Sequence, residues 1–194
     1  MRSPLKQLLP LVLLFGATAA SAHVGHDHGD VGFAAGFLHP FSGLDHLAAM
    51  LAVGVWSAMT TRRIWVAPLS FAALLLVGAI LGVVGVSLPA VEPTIAASLL
   101  VFGLLLATQA KFPATAGALI VGLFAVFHGA AHGVELGSSA HVAAALAGMV
   151  LGTATIHVGG LVLGRALLRH SVIGARALGG AVSCLGVGLL AALV

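Results

Sequence analysis

From residue 31 onward the chain runs in long apolar blocks separated by short polar breaks. Six blocks stand out, at about Val31–Met59, Ile64–Leu88, Val91–Ala110, Phe112–Val134, Ser139–Gly164 and Ala177–Val194. Each is near the ~20 residues that a helix needs to cross a bilayer. The breaks fall at Thr60 to Arg63, at Pro89 and Glu92, at Lys111 and Pro113, at Glu135 to Ser138, and from Arg165 to Arg176. A segment surrounded by lipid must satisfy its own backbone N–H and C=O groups, so blocks of this length predict helices. Glycines recur four apart inside them, at Gly32/Gly36, Gly78/Gly82, Gly129/Gly133, Gly148/Gly152 and Gly160/Gly164. Lipid supplies no hydrophobic drive between helices, and small residues at this spacing let backbones approach. The pattern predicts an all-α polytopic membrane protein, a compact Gly-rich bundle of six transmembrane helices forming one transport domain over 31–194.

The first 30 residues read differently. Arg2 and Lys6 precede the apolar stretch Leu8 to Ala20, and Ala20-Ser21-Ala22 ends it with small residues. That is the order of a secretory signal, so 1–22 is expected to be cleaved. Residues 23–30 then form a periplasmic N-terminus in which His23, His26 and His28 alternate with Asp27 and Asp30. The tract is too polar and Gly-rich to build a core and suits weak metal capture. After cleavage, the new α-amine and the His23 imidazole could chelate one ion together.

Charge fixes an expected orientation. With the N-terminus outside, the loops after spans 1, 3 and 5 face the cytoplasm. They carry Arg62, Arg63, Lys111, Arg165, Arg169 and Arg176, while Asp27, Asp30, Glu92 and Glu135 fall outside. This is the positive-inside distribution, and it predicts a multi-pass protein of the inner membrane. Composition agrees: 60% of residues are hydrophobic and 7% charged, where a soluble domain carries about 25% charged residues. The eight Lys/Arg sit at the ends of apolar runs and form no basic stripe, which argues against a nucleic-acid partner. A single cysteine, Cys184, excludes an intrachain disulfide and any Cys-based zinc or iron–sulfur cage.

Ten His against five Asp and Glu is the unusual ratio, because imidazole is the commonest metal ligand. Span 1 contains His39, Asp45 and His46 around Pro40 and Gly43. Ionisable groups at membrane depth cost about 2.5–3.5 kcal/mol each on insertion scales, which marks them as functional. On a regular helix His39 and His46 share a face but lie about 10 Å apart. Pro40 and Gly43 invite a kink or an unwound turn that would bring them together. Asp45 projects about 100° from His46 on such a helix and is expected to bind metal or to orient an imidazole of another helix. Met50, one turn below His46, is a weaker candidate. In span 4, His128 and His132 are spaced i, i+4 and can chelate one ion, with Glu135 one turn on. Gly129 stands where the two-His helix of metalloproteases has its Glu, which argues against that chemistry. His157 lies deep in span 5, one turn after Thr153. Helix arithmetic orders these groups inward as Glu135, then His132 and His39, then His128, then Asp45 and His46, then His157: a ladder of ligands. Spans 1–3 and 4–6 have opposite expected topology, and spans 1 and 4 both carry ligands, as in an inverted repeat with a midplane site.

At these residues the sequence resembles the HupE/UreJ family of nickel/cobalt permeases. One family pattern is a His, five residues, then Asp-His, here His39, Asp45 and His46. The other is Phe-His-Gly, a variable residue, Ala or Val, then His-Gly-x-Glu, here Phe127, His128, Gly129, Ala131, His132, Gly133 and Glu135. The signal segment and the His-rich start agree as well. The resemblance implies a secondary uptake permease for Ni²⁺ or Co²⁺, often serving hydrogenase or urease maturation. It implies no enzyme activity and no tightly bound cofactor, only the transported ion. Imidazole with a few carboxylates suits Ni²⁺, Co²⁺, Zn²⁺ or Cu²⁺, and the lack of Cys ligands argues against Cu(I). Homo-oligomerisation and the host pathway stay open. Two other readings compete: a redox protein with His pairs holding b-type haem, and an intramembrane zinc hydrolase with an Asp-activated water.

Overall fold

The computed structural model describes residues 32–194, so the signal segment 1–22 and the tract with His23, His26 and His28 lie outside the described residues. Among the described residues there are helices and no strands. They are α1 (Phe33–Ser42), α2 (Leu44–Thr60), α3 (Val66–Val83), α4 (Val91–Thr108), α5 (Ala114–Leu136), α6 (Val142–His170) and α7 (Val172–Ala192).

Helices α3 to α7 are each long and apolar enough to cross a membrane. The first apolar block is instead broken into α1 and α2, which meet at an angle of 82° and together pass the same test. The break has two local causes. Pro40 inside α1 lacks an N–H and crowds the preceding turn, and Gly43 between the helices is extended at φ −93°, ψ 119°. The kink expected from Pro40 and Gly43 is therefore a full change of direction. At the other end of the chain the expected loop from Arg165 to Arg176 is helical. Arg165 and Arg169 lie on α6, Arg176 lies on α7, and only Ser171 separates the two helices. The Ser171 hydroxyl accepts from the Gly174 N–H at 2.9 Å and so caps α7.

Glycine positions decide which helices meet. A Cβ on Gly129 or Gly133 of α5 would run into the backbone of Leu75 or Ala79 on α3, and one on Gly78 would meet the backbone of Val126. Helix α6 receives α1 at Gly148 and Gly152, where Phe33 and Phe37 backbone atoms lie closest, and α2 at Gly160 and Gly164. Gly179 and Gly186 do the same for α7 against α4. The most intimate pairings are thus α3 with α5, α4 with α7, and α1/α2 with α6. With α1/α2 counted as one unit, exchanging the first three units for the last three turns the α3·α5 pairing into α6·α1/α2 and leaves α4·α7 unchanged. The strongest helix pairings are thus preserved when the two halves are exchanged, as in a chain built from two structural repeats.

Met50, Phe71, Leu75, Leu99, Phe102, Leu106 and Met149 fill the core, so Met50 packs with apolar neighbours. The α2–α3 and α4–α5 turns lie together at one end, where Arg63 and Phe112 line one small cleft and the Trp56 indole donates to the Ala110 carbonyl at 2.8 Å.

Candidate metal centre

The turn at Gly43 and the exposed start of α2 give Asp45 its role. In the first turn of a helix the backbone N–H groups lack helical partners. The Asp45 carboxylate turns back onto them and accepts from the His46 N–H at 2.8 Å. The same oxygen accepts from His46 Nδ1 at 2.9 Å. The expectation that Asp45 projects about 100° away from His46 is corrected. It assumed a regular helix through Gly43, and the break makes Asp45 a first-turn residue that clamps its own neighbour.

The bend also brings His39 and His46 to one place. Both rings rest on His132 of α5, with centroids at 4.5 Å from His39 and 4.3 Å from His46. His46 in turn meets His128 edge-on at 4.6 Å. Glu135 closes the outer end, accepting from His39 Nε2 at 2.8 Å. His132 Nδ1 stands 3.9 Å from the same carboxylate oxygen. One ligand atom each from His39, His132 and Glu135 lies within 4.8 Å of the others, a spacing that can converge on one ion.

Exposure drops from the outer pair to the inner imidazoles, with His46 at 11% a little more open than His132. The side chains of Glu135 and His39 are 60% and 28% exposed, and that of His132 5%. His128 is wholly buried. The buried members also keep open valences. His46 Nε2, His128 Nδ1 and both ring nitrogens of His132 have no hydrogen-bond partner among the described residues. Buried polar atoms are normally paired, so a row of imidazole nitrogens left unpaired suits an incoming cation.

His157 stands apart. Its Nδ1–H donates to the Thr153 carbonyl at 2.9 Å, and its Nε2 is buried and unpaired. The Phe71 ring of α3 touches both it and the His row, with centroids 5.6 Å from His128 and 5.1 Å from His157. The order read from the sequence is corrected at its inner end: His46 stands between His132 and His128 rather than beyond His128, and the more deeply buried of the two is His128. Two residues were not visible as part of the site. Phe71 looked like any apolar span residue. Ser98 of α4, whose hydroxyl lies 2.8 Å from His128 Nε2, carried one signal, a lone hydroxyl in the middle of an apolar helix.

Comparison with known proteins bears on the same residues. The family described as HupE / UreJ protein matches residues 11–189. The chain belongs to the HupE/UreJ family. It is 43% identical over 175 residues to Protein HupE of Rhizobium leguminosarum bv. viciae, covering 88% of this chain and 90% of that one. No solved structure matches. In this HupE/UreJ member both sequence patterns quoted above fall on the His row, one on the broken α1/α2 pair and the other on α5.

Proposed function

We propose that this chain is a secondary permease that carries Ni²⁺ or Co²⁺ across the bacterial inner membrane, with its N-terminus and Glu135 on the periplasmic side. The observation that carries the reading is the graded row from Glu135 and His39 through His132 to His46 and His128, which ends in buried imidazole nitrogens without partners. A cation arriving at the exposed end meets a carboxylate and two imidazoles. Each step inward offers another nitrogen while water is left behind. Imidazole and carboxylate donors suit Ni²⁺ and Co²⁺, and sites of few ligands let the ion leave again. His23, His26 and His28 would raise the local metal concentration at the entrance, and His157 would receive the ion beyond Phe71. Asp45 holds the His46 ring at Nδ1 and leaves Nε2 for the ion, the outer-partner role that carboxylates play behind metal-binding imidazoles.

The haem reading fits poorly. A bis-His haem needs the macrocycle between its two axial rings, and here His46 touches both His128 and His132 directly.

The test is uptake of radioactive nickel by cells expressing the chain, competed with Co²⁺ and Zn²⁺, beside the Asp45→Ala variant at matched membrane abundance. Uptake that the variant loses supports the permease, and the competition pattern names the metal. Absence of uptake by correctly inserted wild-type protein would overturn it.

A further inference from the structure

Ser98 lies on α4 and is wholly buried. Its hydroxyl makes two contacts. It is 2.7 Å from the Ile95 carbonyl oxygen and 2.8 Å from His128 Nε2. A carbonyl oxygen only accepts, so the single hydroxyl proton is committed to Ile95. The Ser98 oxygen therefore meets His128 as an acceptor, and His128 Nε2 must carry the ring proton. In a neutral imidazole the other nitrogen then holds the lone pair. That nitrogen, His128 Nδ1, is buried and unpaired.

The same logic governs two other rings. His46 Nδ1 is tied to Asp45 and His157 Nδ1 to the Thr153 carbonyl, and in both the free nitrogen is Nε2. His128 is the reverse case, held at Nε2 with Nδ1 free, and its acceptor is a serine whose own proton is occupied elsewhere.

We infer that Ser98 is a positioning residue for transport: by accepting from Nε2 it locks His128 in the tautomer that presents Nδ1 to the passing ion. The inference rests on the permease reading for the identity of the ion, while the tautomer itself is a property of the metal-free protein. Partners of this kind typically change metal affinity about 10–100-fold when removed.

Two measurements on the full chain in lipid nanodiscs test it. The first is nitrogen NMR of histidine-labelled, metal-free protein, with the His128 signals identified by their loss in His128→Gln. Protonated and bare ring nitrogens resonate far apart. Wild type is expected to show His128 protonated at Nε2. Ser98→Val should lose that preference, and Ser98→Thr, which has the same shape as Val but keeps the hydroxyl, should retain it. The second is Ni²⁺ affinity, expected to weaken about 10–100-fold in Ser98→Val and Ser98→Ala and to stay near wild type in Ser98→Thr. A wild-type His128 protonated at Nδ1 would overturn the inference even if no variant folds. So would Ser98→Val with the wild-type tautomer and affinity. Wild-type protein with the expected tautomer but no nickel binding would overturn the permease reading and leave the tautomer assignment standing.

Discussion

Buried ring nitrogens without partners cost stability, and His132, with two of them, is where that cost is largest. Both of its ring nitrogens are buried without a hydrogen-bond partner. Leaving a buried donor or acceptor unpaired costs about 1–3 kcal/mol. Replacing His132 by Leu removes both nitrogens and fills much of the same space. It orphans no neighbour: Glu135 loses the 3.9 Å approach of His132 Nδ1 but keeps His39 at 2.8 Å, and His46 keeps Asp45 at 2.9 Å. The variant should therefore be more stable than wild type without metal, by about 1–3 kcal/mol. For a chain of this length each kcal/mol moves the midpoint by about 2–4 °C, so thermal unfolding in detergent with a chelator should rise by about 2–12 °C. Nickel should then reverse the order. At a hundred times its Kd a ligand adds about 2.7 kcal/mol to the protein that binds it, and His132→Leu should gain far less while losing uptake in cells. A midpoint for metal-free His132→Leu at or below that of wild type would refute the reasoning, because it would mean that His132 is satisfied in the folded protein.

Other outcomes follow from the same contacts. Gly129→Ala should lower membrane abundance and monodispersity on gel filtration by more than the about 1–3 kcal/mol of ordinary overpacking, since its Cβ meets the Leu75 backbone; Gly180→Ala, with open space around it, should be tolerated. Asp45→Asn keeps the shape of the clamp on His46 and removes its charge, so Ni²⁺ affinity measured by calorimetry should fall about 10–100-fold with little change in abundance. Changing His23, His26 and His28 together to Ala should reduce nickel uptake only at low external metal; an equal loss at saturating metal would contradict a capture role.

The sequence was most legible where lipid dictates the answer. Apolar length alone predicts α3 to α7, because a segment in hydrocarbon has few alternatives to helix. Pro40 and Gly43 announced the break in the first block, but not its 82° angle, which depends on α1 and α2 both finding glycines of α6 to lie against. The basic run from Arg165 to Arg176 was misleading as a loop signal: Arg and Leu are good helix formers, and helix end and start are set by Ser171. At the site, the His and acidic residues were visible because they are expensive in an apolar chain. Which atom each presents was not, since it is decided by contacts that no spacing encodes: Asp45 to its own neighbour, Ser98 across thirty positions to His128.

The pairing symmetry gives these contacts a place in the architecture. The unit α1/α2 is exchanged with α5 when the halves are swapped, and the His row lies between those two units. They are not equivalent in shape: α5 runs unbroken from Ala114 to Leu136, whereas its counterpart turns sharply at Gly43. Their neighbours differ in the same way. Helix α4 packs against α2 and brings Ser98 to His128, while α7, its counterpart, makes no comparable packing with α5. A scaffold of paired repeats with one broken and one straight member leaves its polar row open where Glu135 and His39 are exposed and buried at its other end, where His128 packs on Phe71. On the permease reading the row must open to the second side as well, and discontinuous helices at repeat interfaces are where transporters build that exchange. The bend at Gly43 is therefore the element whose straightening should change access. Gly43→Ala should slow uptake by restricting the bend, and because the added Cβ would also press on the Asp45 carboxylate and approach His46 Nδ1 it should weaken Ni²⁺ binding too, by a smaller factor than the rate of transport. Equal loss of binding and rate would assign Gly43 to the site rather than to its opening.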